Sequence, residues 1–583
     1  MPVTPTYPGI YIQEAASQSH TIISAPTNIA VFIGYTHPLK TKPESFGVPF
    51  EIFSFTDYQR QFGSFVRSAA FTNAYDGATP TPLPGAFGDM AQAVSQFFLN
   101  GGTHAFVVSV NQPSSKNTAS ALGKLVPQPL PPFNFPLSPP HSPIAGAPAQ
   151  SIDIGGVVFT QLEVTDEIFV MSVVVTPAVP TSPVAYGLAD IIITYGPSSK
   201  SAPTGIATGP ATTVETYRRV SLDPASPNYV LKAMAASSLV SVSFSNPAPT
   251  SFTATGTTPT FFPLLISQSA QIFSAADFTA VLQEDTPLDK LQVFNLMILP
   301  GIAPSNDSDG SAGVVLAAAV AFCERKYAFL IMDPPVRDSA DGTLPPNSHK
   351  IADSVSEFPA SKNAALYFPY LLTPDPITGQ KNNLITGQPN EIPPAATVAG
   401  IYAATDVARG VWKAPAGFQA ITNNVTGVTD RGAMTDNRQG TLNPLGVNCL
   451  RAFPNLPTIV FGARTLATTD EQWRYVPVRR TALFLEQTLL ANLKWVLFEP
   501  NAQPLWSAIT MSINAFMLGL FKQGAFQGDK PTDAFLVKCD GTTTSQTDID
   551  SGIVNIVVGF APLKPAEFVI ITIAQLAGQT QTS

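Results

Sequence analysis

Charged side chains are scarce in this sequence. Asp, Glu, Lys and Arg make up 12% of its 583 residues, about half of the ~25% usual in a soluble protein. A monomer so poor in charge would solvate its surface badly. Two accounts stay open: large surfaces buried in an assembly, or a chain rich in Ser, Thr and Pro loops. The net charge of −9 is small for the length, and no basic stripe with interleaved aromatics occurs, so nothing points to a nucleic-acid partner. Cysteine is almost missing. Cys323, Cys449 and Cys539 lie far apart and form no CxxC pair, which argues against a disulfide framework and fits assembly in a reducing cytosol. Long apolar runs are missing too. The longest gapless one, Val314 to Cys323, reaches about half of the ~20 residues a membrane span needs. The opening MPVTPTYPGIYIQE has neither the basic nor the apolar region of a secretion signal. No membrane insertion is expected.

The usual marks of an enzyme are absent as well. There is no G-x-S-x-G elbow, no G-x-x-x-x-G-K phosphate loop and no H-E-x-x-H. His20, His37, His104, His141 and His349 stand isolated from any partner at ligand spacing. NDSDGSAG, Asn306 to Gly313, has the look of a calcium loop. With Gly310 as its glycine, however, position one would be Ser305 and position twelve Leu316, where a bidentate Glu is required. A helix N-cap by Ser308 or Asp309 explains that stretch better. We therefore expect no catalytic residue, no metal and no cofactor.

What is present falls into segments. Pro8, Gly9, Ile10, Tyr11, Ile12 and Gln13 read as a turn and a short alternating strand, and the small, polar residues up to Asn28 read as a tether. A frayed terminus is the plainer account of this arm. IAVFIGYT from Ile29 is a buried strand. IFSFTDYQRQFG gives a strand and a helix stopped by Gly63. FGDMAQAVSQFFLNGG sets Met90, Val94, Phe97 and Phe98 at helical spacing, with Gly101 and Gly102 as its stop. HAFVVSV follows as a strand.

From about Asn111 to Gln268 prolines concentrate, and VPQPLPPFNFPLSPPHSP can form neither helix nor central strand. Islands such as IDIGGVVFTQLEV, IFVMSVVV, DIIITYG and SVSFS alternate with period two. An inserted β domain entered through a Pro-rich linker is expected, rather than disorder throughout. The α/β pattern then resumes with FSAADFTAVLQE, LQVFNLMILPG, SAGVVLAAAVAFCERK and YAFLIMDPP. The apolar residues of SAGVVLAAAVAFCERK run all round, as in a helix covered on both sides. The predicted middle domain is doubly wound: helices about a mostly parallel sheet.

The C-terminal block is the best patterned. Leu505, Ile509, Ile513, Phe516, Met517 and Leu520 form a core stripe on one helix, while Trp506 and Lys522 lie off it and are free to meet a partner. Arg479 and Arg480 open another helix, where cations oppose the dipole. They are expected to meet carboxylates, with Asp548 and Asp550 or a neighbouring subunit as candidates, and Glu499 or Asp470 as the plain alternative within the chain. IVNIVVGF and EFVIITIAQL are strand-like runs joined by APLKPA. They can pair as a hairpin, or the last can join another sheet.

YPGIYIQE with AVFIGYT at one end, PPAATVAGIYAATDVARGVWKAPAG in the middle, and the block from NPLGVNCLRAFPNLPTIVFGARTL to EFVIITIAQLAG together resemble the contractile tail sheath proteins of phage tails and phage-tail-like injection systems. The likeness is strong over residues 395–577 and weaker over the α/β middle; residues 112–268 match no pattern of the family. The resemblance implies an α/β multidomain subunit: an arm and linker over 1–28, a middle domain over 29–111 plus 269–400, an outer insertion over 112–268, and a C-terminal α+β domain over 401–583. It implies a homo-oligomeric helical sheath around an inner tube protein, with baseplate and terminal cap proteins as further partners. It also implies assembly in the cytoplasm into a virion tail or a released particle. By the same resemblance, residues 8–13 and Phe568, Val569, Ile570, Ile571, Thr572 and Ile573 insert beside strands of adjacent subunits. A static surface-layer or tube subunit using the same exchange is the alternative.

Overall fold

The structure is a computed structural model. It describes residues 20–37, 39–65, 87–110, 151–163, 165, 169–178, 186–197, 213–256, 259–262, 274–304, 311–335, 348–376, 379–382, 390–429, 434–453, 456–568 and 570–571. The expected arm at Pro8–Gln13, the cap at Ser308 or Asp309, and Val569, Thr572 and Ile573 lie outside the described residues. The chain divides into two compact units. One comprises Pro26–Ala408 with Pro415–Arg474. The other comprises Met1–Ala25, Arg409–Ala414 and Tyr475–Ser583.

The larger unit is built on an eight-stranded sheet. Its strands are β1 (Ala30–Gly34), β2 (Phe50–Ile52), β3 (Ala105–Ser109), β11 (Leu296–Ile298), β12 (Phe329–Met332), β13 (Ala364–Phe368), β17 (Val447–Ala452) and β18 (Thr458–Val460), in the order β18-β17-β13-β12-β11-β1-β3-β2. The six inner strands are parallel, and the edge strands β2 and β18 run antiparallel. β1 has β3 on one side and β11 on the other, so the strand order reverses there, as in a doubly wound sheet.

Such strands are apolar throughout because both faces are covered. On one face Val31, Ile33, Met297, Leu330, Leu366 and Phe368 pack with α3 (Ala275–Val281) and α4 (Ser311–Arg325). On the other, Phe32 meets Phe97 of α2 (Phe87–Leu99), and Tyr367 and Phe329 meet Tyr402 of α5 (Ala395–Arg409). The Tyr367 and Tyr402 hydroxyls share a hydrogen bond of 2.6 Å. The two helices on this face approach closely, since a Cβ on Gly400 would stand 2.5 Å from the Phe97 carbonyl oxygen. α1 (Phe55–Phe62) stops at Gly63 and α2 at Gly101, both with positive φ, as the sequence expects. α4 differs from expectation. It is covered on one side only, with Val314, Ala317 and Ala321 facing solvent. Alanine tolerates either environment, so its presence all round a helix does not require burial.

The insertion folds as β structure with its own core. One sheet has β4 (Ser151–Ile154), β5 (Val157–Gln161) and β9 (Val240–Phe244); another has β10 (Thr260–Phe261), β6 (Phe169–Ala178), β7 (Leu188–Pro197) and β8 (Thr213–Ser221). β6, β7 and β8 form an antiparallel meander whose inner face, with Met171, Val173, Ile191, Ile193 and Tyr195, is buried. β8 was not legible in the sequence, because TVETYRRVS alternates Val and Tyr with charges and lacks the apolar weight of its neighbours. A three-stranded sheet of β14 (Leu371–Thr373), β15 (Asn390–Ile392) and β16 (Gly427–Val428) completes this unit.

The division of the chain differs from the sequence reading at its C-terminal part. β17 and β18 extend the central sheet, so 415–474 belong with the larger unit and the second unit begins at Tyr475 rather than near 401 or 443. An apolar strand carries no mark of which sheet it joins, and periodicity could not place this one. Arg409–Ala414, within the PPAATVAGIYAATDVARGVWKAPAG stretch, instead belongs to the smaller unit.

Candidate functional site: an incomplete sheet in the C-terminal unit

Two helices form the body of the smaller unit, α6 (Val476–Asn492) and α7 (Gln503–Lys522). Pro477 sits at the start of α6 and Pro504 at the start of α7, where a missing N–H costs nothing and the fixed φ suits the helix. Leu505, Ile509, Ile513, Met517 and Leu520 are buried as the stripe predicts, and Phe516 is partly buried against them. α7 is long and apolar enough to cross a membrane. Its stripe is nevertheless packed against Phe484, Leu485 and Phe526, which makes it the core helix of this unit. Val411, and Trp412 beside it, join the same core.

The segment from His20 to Ala25 is tied down here. Ile22 is buried in the core. The Ile23 amide donates to Asn492 Oδ1 at 3.0 Å, and Asn492 Nδ2 donates back to the Ile23 carbonyl at 2.8 Å. The Ala25 amide donates to Thr488 Oγ1 at 3.1 Å. His20 stacks on Trp495 with ring centroids 3.9 Å apart.

Against this body lies a sheet that has two strands among the described residues, β19 (Phe535–Lys538) and β20 (Val557–Phe560), paired antiparallel with Phe535 opposite Phe560 and Lys538 opposite Val557. Phe535, Val537, Val558 and Phe560 turn inward on the core. The alternate positions turn outward, and Leu536 and Val557 are about half exposed. Two strands alone make a marginal sheet, and unpaired edges present N–H and C=O groups that another strand can take up. Downstream, the Tyr475 hydroxyl donates to Glu567 Oε2 at 3.3 Å. Beyond that contact Phe568, Ile570 and Ile571 are 73%, 90% and 78% exposed and belong to no strand. Three apolar side chains thus stand in water within four positions.

The plainer alternative, a hairpin between IVNIVVGF and EFVIITIAQL, falls mostly outside the described residues; within them β20 has β19 as one partner. The charged candidates are not brought together. Arg479 and Arg480 are buried at 6% and 4% exposed, and Arg479 Nη1 pairs with Glu486 Oε1 at 3.1 Å, two turns along the same helix. None of Asp470, Glu499, Asp548 or Asp550 is that partner. Asp548 closes a capping box with Ser545 at the start of α8 (Gln546–Asp550), and the Ser545 hydroxyl and amide hold its carboxyl below the usual range. Asp550 accepts from Gln546 Nε2 at 2.8 Å. Trp506, expected outside the stripe, is buried, and its indole N–H donates to Asn501 Oδ1 at 2.8 Å. Lys522 is exposed at the end of α7. The Glu486 pairing has a sequence signal, an opposite charge seven residues along on one helix face, which the separations considered had not included.

Residues 468–575 match the phage tail sheath C-terminal domain family. A prophage major tail sheath protein of Pseudomonas aeruginosa is 26% identical over 189 residues, 31% of this chain and 45% of that protein. The tail sheath protein of Vibrio phage KVP40 is 27% identical over 178 residues, 30% of this chain and 25% of that protein. These matches thus span less than half the length of the curated relatives. Among solved structures, the anti-feeding prophage helical sheath in its contracted state aligns over 98% of this chain and 100% of that one, with a TM-score of 0.52 at 22% identity. The contracted PVC sheath complex, from an extracellular contractile injection system, aligns over 98% of each chain with a TM-score of 0.51 at 19% identity. A sheath tail protein of Desulfitobacterium hafniense gives 0.51 at 11% identity, over 95% of this chain. The fold is that of tail sheath subunits. The resemblance to contractile tail sheath proteins holds, and it is carried by the match of residues 468–575 to the phage tail sheath C-terminal domain family.

Proposed function

We propose that this chain is the structural subunit of a contractile sheath. It polymerises as a homo-oligomer around an inner tube and contracts from a metastable extended state to drive that tube through a target envelope. The observation that carries the reading is the β19–β20 sheet, two-stranded among the described residues, followed by the exposed apolar residues Phe568, Ile570 and Ile571, within the stretch that matches the phage tail sheath C-terminal domain family. Pro8–Gln13 and Phe568–Ile573 supply strands to the sheets of neighbouring copies. Main-chain hydrogen bonds then give the affinity, each netting only ~0.5–1.5 kcal/mol but repeated along the lattice. The stored energy is conformational and the chain needs no nucleotide or cofactor. Baseplate and terminal cap proteins bound the polymer, which assembles in the cytoplasm and works in a virion tail or a released particle.

Electron microscopy of purified particles tests this reading. Two populations, long and narrow against short and wide, are expected. A single length and diameter under every condition would make the chain a static lattice or tube subunit.

A further inference from the structure

A buried charge joins the inserted β domain to the central sheet, inside the larger unit. The loop after β1 folds tightly, with the His37 carbonyl accepting from the Thr41 amide at 3.0 Å and the Thr41 hydroxyl at 2.7 Å. His37 Nδ1 faces the amides of Leu39 and Lys40 at 3.2 and 3.3 Å. A ring nitrogen that accepts from two amides carries no proton, so the proton of the neutral ring sits on Nε2. Nε2 faces Glu163 Oε2 at 3.5 Å without a formed hydrogen bond. Glu163 follows β5 of the insertion, and its other oxygen is paired with Lys40 Nζ. The side chains of His37, Glu163 and Lys40 are only 2%, 12% and 18% exposed.

We propose that His37, Lys40 and Glu163 form an acid-releasable latch that holds the inserted β domain against the central sheet at neutral pH. Burial holds the His37 imidazole below its ordinary value, outweighing the pull of Glu163. Burial pushes the Glu163 carboxyl up, but His37 and Lys40 together hold it below the usual carboxylate range. Glu163 and Lys40 are the charged groups acting on His37. Protonating His37 at Nδ1 would turn the acceptor of two amides into a donor and place a second cation beside Lys40. A hydrated, open junction takes that proton at the ordinary histidine value near ~6.5, while the closed one resists it. The closed form is therefore favoured above that value and loses ground as pH falls below it. Glu163 stays ionised through this window.

Hydrogen exchange of the full chain at pH 7.5 and 5.5, corrected for the intrinsic rate, tests the latch in peptides covering 36–42 and 160–169. Protection there should fall at least tenfold at pH 5.5, while peptides from β11 and β12 keep theirs. His37→Gln, whose amide oxygen can still accept but does not titrate, should stay protected at pH 5.5. Glu163→Gln should show the acid level of exchange already at pH 7.5. Equal protection of the wild type at both pH values would overturn the proposal. So would an H37Q variant that loosens like the wild type, or an E163Q variant that stays closed at pH 7.5. The H37Q arm decides alone where E163Q fails to fold.

Discussion

Asp333, at the end of β12, caps the helix that starts at Ala395. Its Oδ1 accepts from the Ala395 amide at 2.7 Å and its Oδ2 from the Gly301 amide at 3.0 Å. One carboxylate thus ties β11, β12 and α5 together at the strand ends. Burial pushes its carboxyl up to about 7, against the pull of the two amide donors. In the unfolded chain the same group releases its proton near ~3.9. Between these values the folded state holds a proton that the unfolded state has lost, so this group's contribution to stability falls as pH rises.

Asp333→Asn removes that titration while keeping one acceptor. The stability advantage of the wild type over this variant should shrink between pH 5 and pH 8 in denaturant titrations. An advantage that grows with pH would show that the amide donors outweigh burial. Asp333→Ala leaves two buried amides without a partner, at ~1–3 kcal/mol each, and should lose about 2–6 kcal/mol of stability.

Arg479 gives a second measurement. It is buried, whereas the side chain of its partner Glu486 is 37% exposed, so the pair lies between the surface and interior cases. Arg479→Ala should cost about 1–3 kcal/mol, read as a shift in denaturation midpoint. Charge reversal of Arg479 and Arg480 would set like charges against Glu486 inside the subunit. Loss of assembly in that variant would then report misfolding as readily as a lost contact between copies. Glu486→Gln separates the two: a stability loss of under about 1 kcal/mol with assembly intact is expected if the pair is internal. Abolished assembly with unchanged stability would place the pair at an interface.

How much of this was legible follows from the residues. Much of the central sheet was, because strands such as AVFIG and FLIM are apolar at every position and both their faces are covered. The stripe of α7 was, because a one-sided core leaves a helical period. Trp506 was misplaced because periodicity ranks a residue by its angle on the helix, whereas its indole is buried through a loop acceptor, Asn501. The arginines were expected to meet carboxylates and Arg479 does, though the carboxylate is Glu486 of its own helix rather than a candidate named from the sequence. A helix start exposed to water disfavours cations, but here Val476, Pro477 and Val478 are buried and Arg479 finds its carboxylate within the helix. The Asp333 cap joins residues over 60 positions apart, and no local pattern carries such a link.

The N-terminal segment separates folding from assembly by length of deletion. Ile22, Ile23 and Ala25 belong to the core and hydrogen bonds of the smaller unit. Removing 1–14 leaves those contacts intact, so the subunit should keep its melting temperature and lose sheath assembly. Removing 1–25 deletes a buried isoleucine and the bonds to Asn492 and Thr488, and should destabilise the unit by ~2–5 kcal/mol. Normal sheaths from the shorter truncation would remove the arm from the assembly mechanism.

The outer face of the β19–β20 sheet offers the sharpest separation of fold from lattice. Leu536 and Val557 face water, while Val558, opposite Val537, faces the core. Leu536→Asp and Val557→Asp should each change subunit stability by no more than ~0.5 kcal/mol, as exposed substitutions do. Both should nevertheless block polymerisation if a neighbouring strand or helix covers that face, since a carboxylate would then be buried unpaired. Val558→Ala should do the reverse, costing ~1–3 kcal/mol through lost packing while the folded fraction still assembles. Light scattering of assembly beside denaturation of the unassembled subunit reads both quantities. Normal polymerisation of the two Asp variants would leave the outward face bare in the lattice and confine the strand exchange to the sheet's edges.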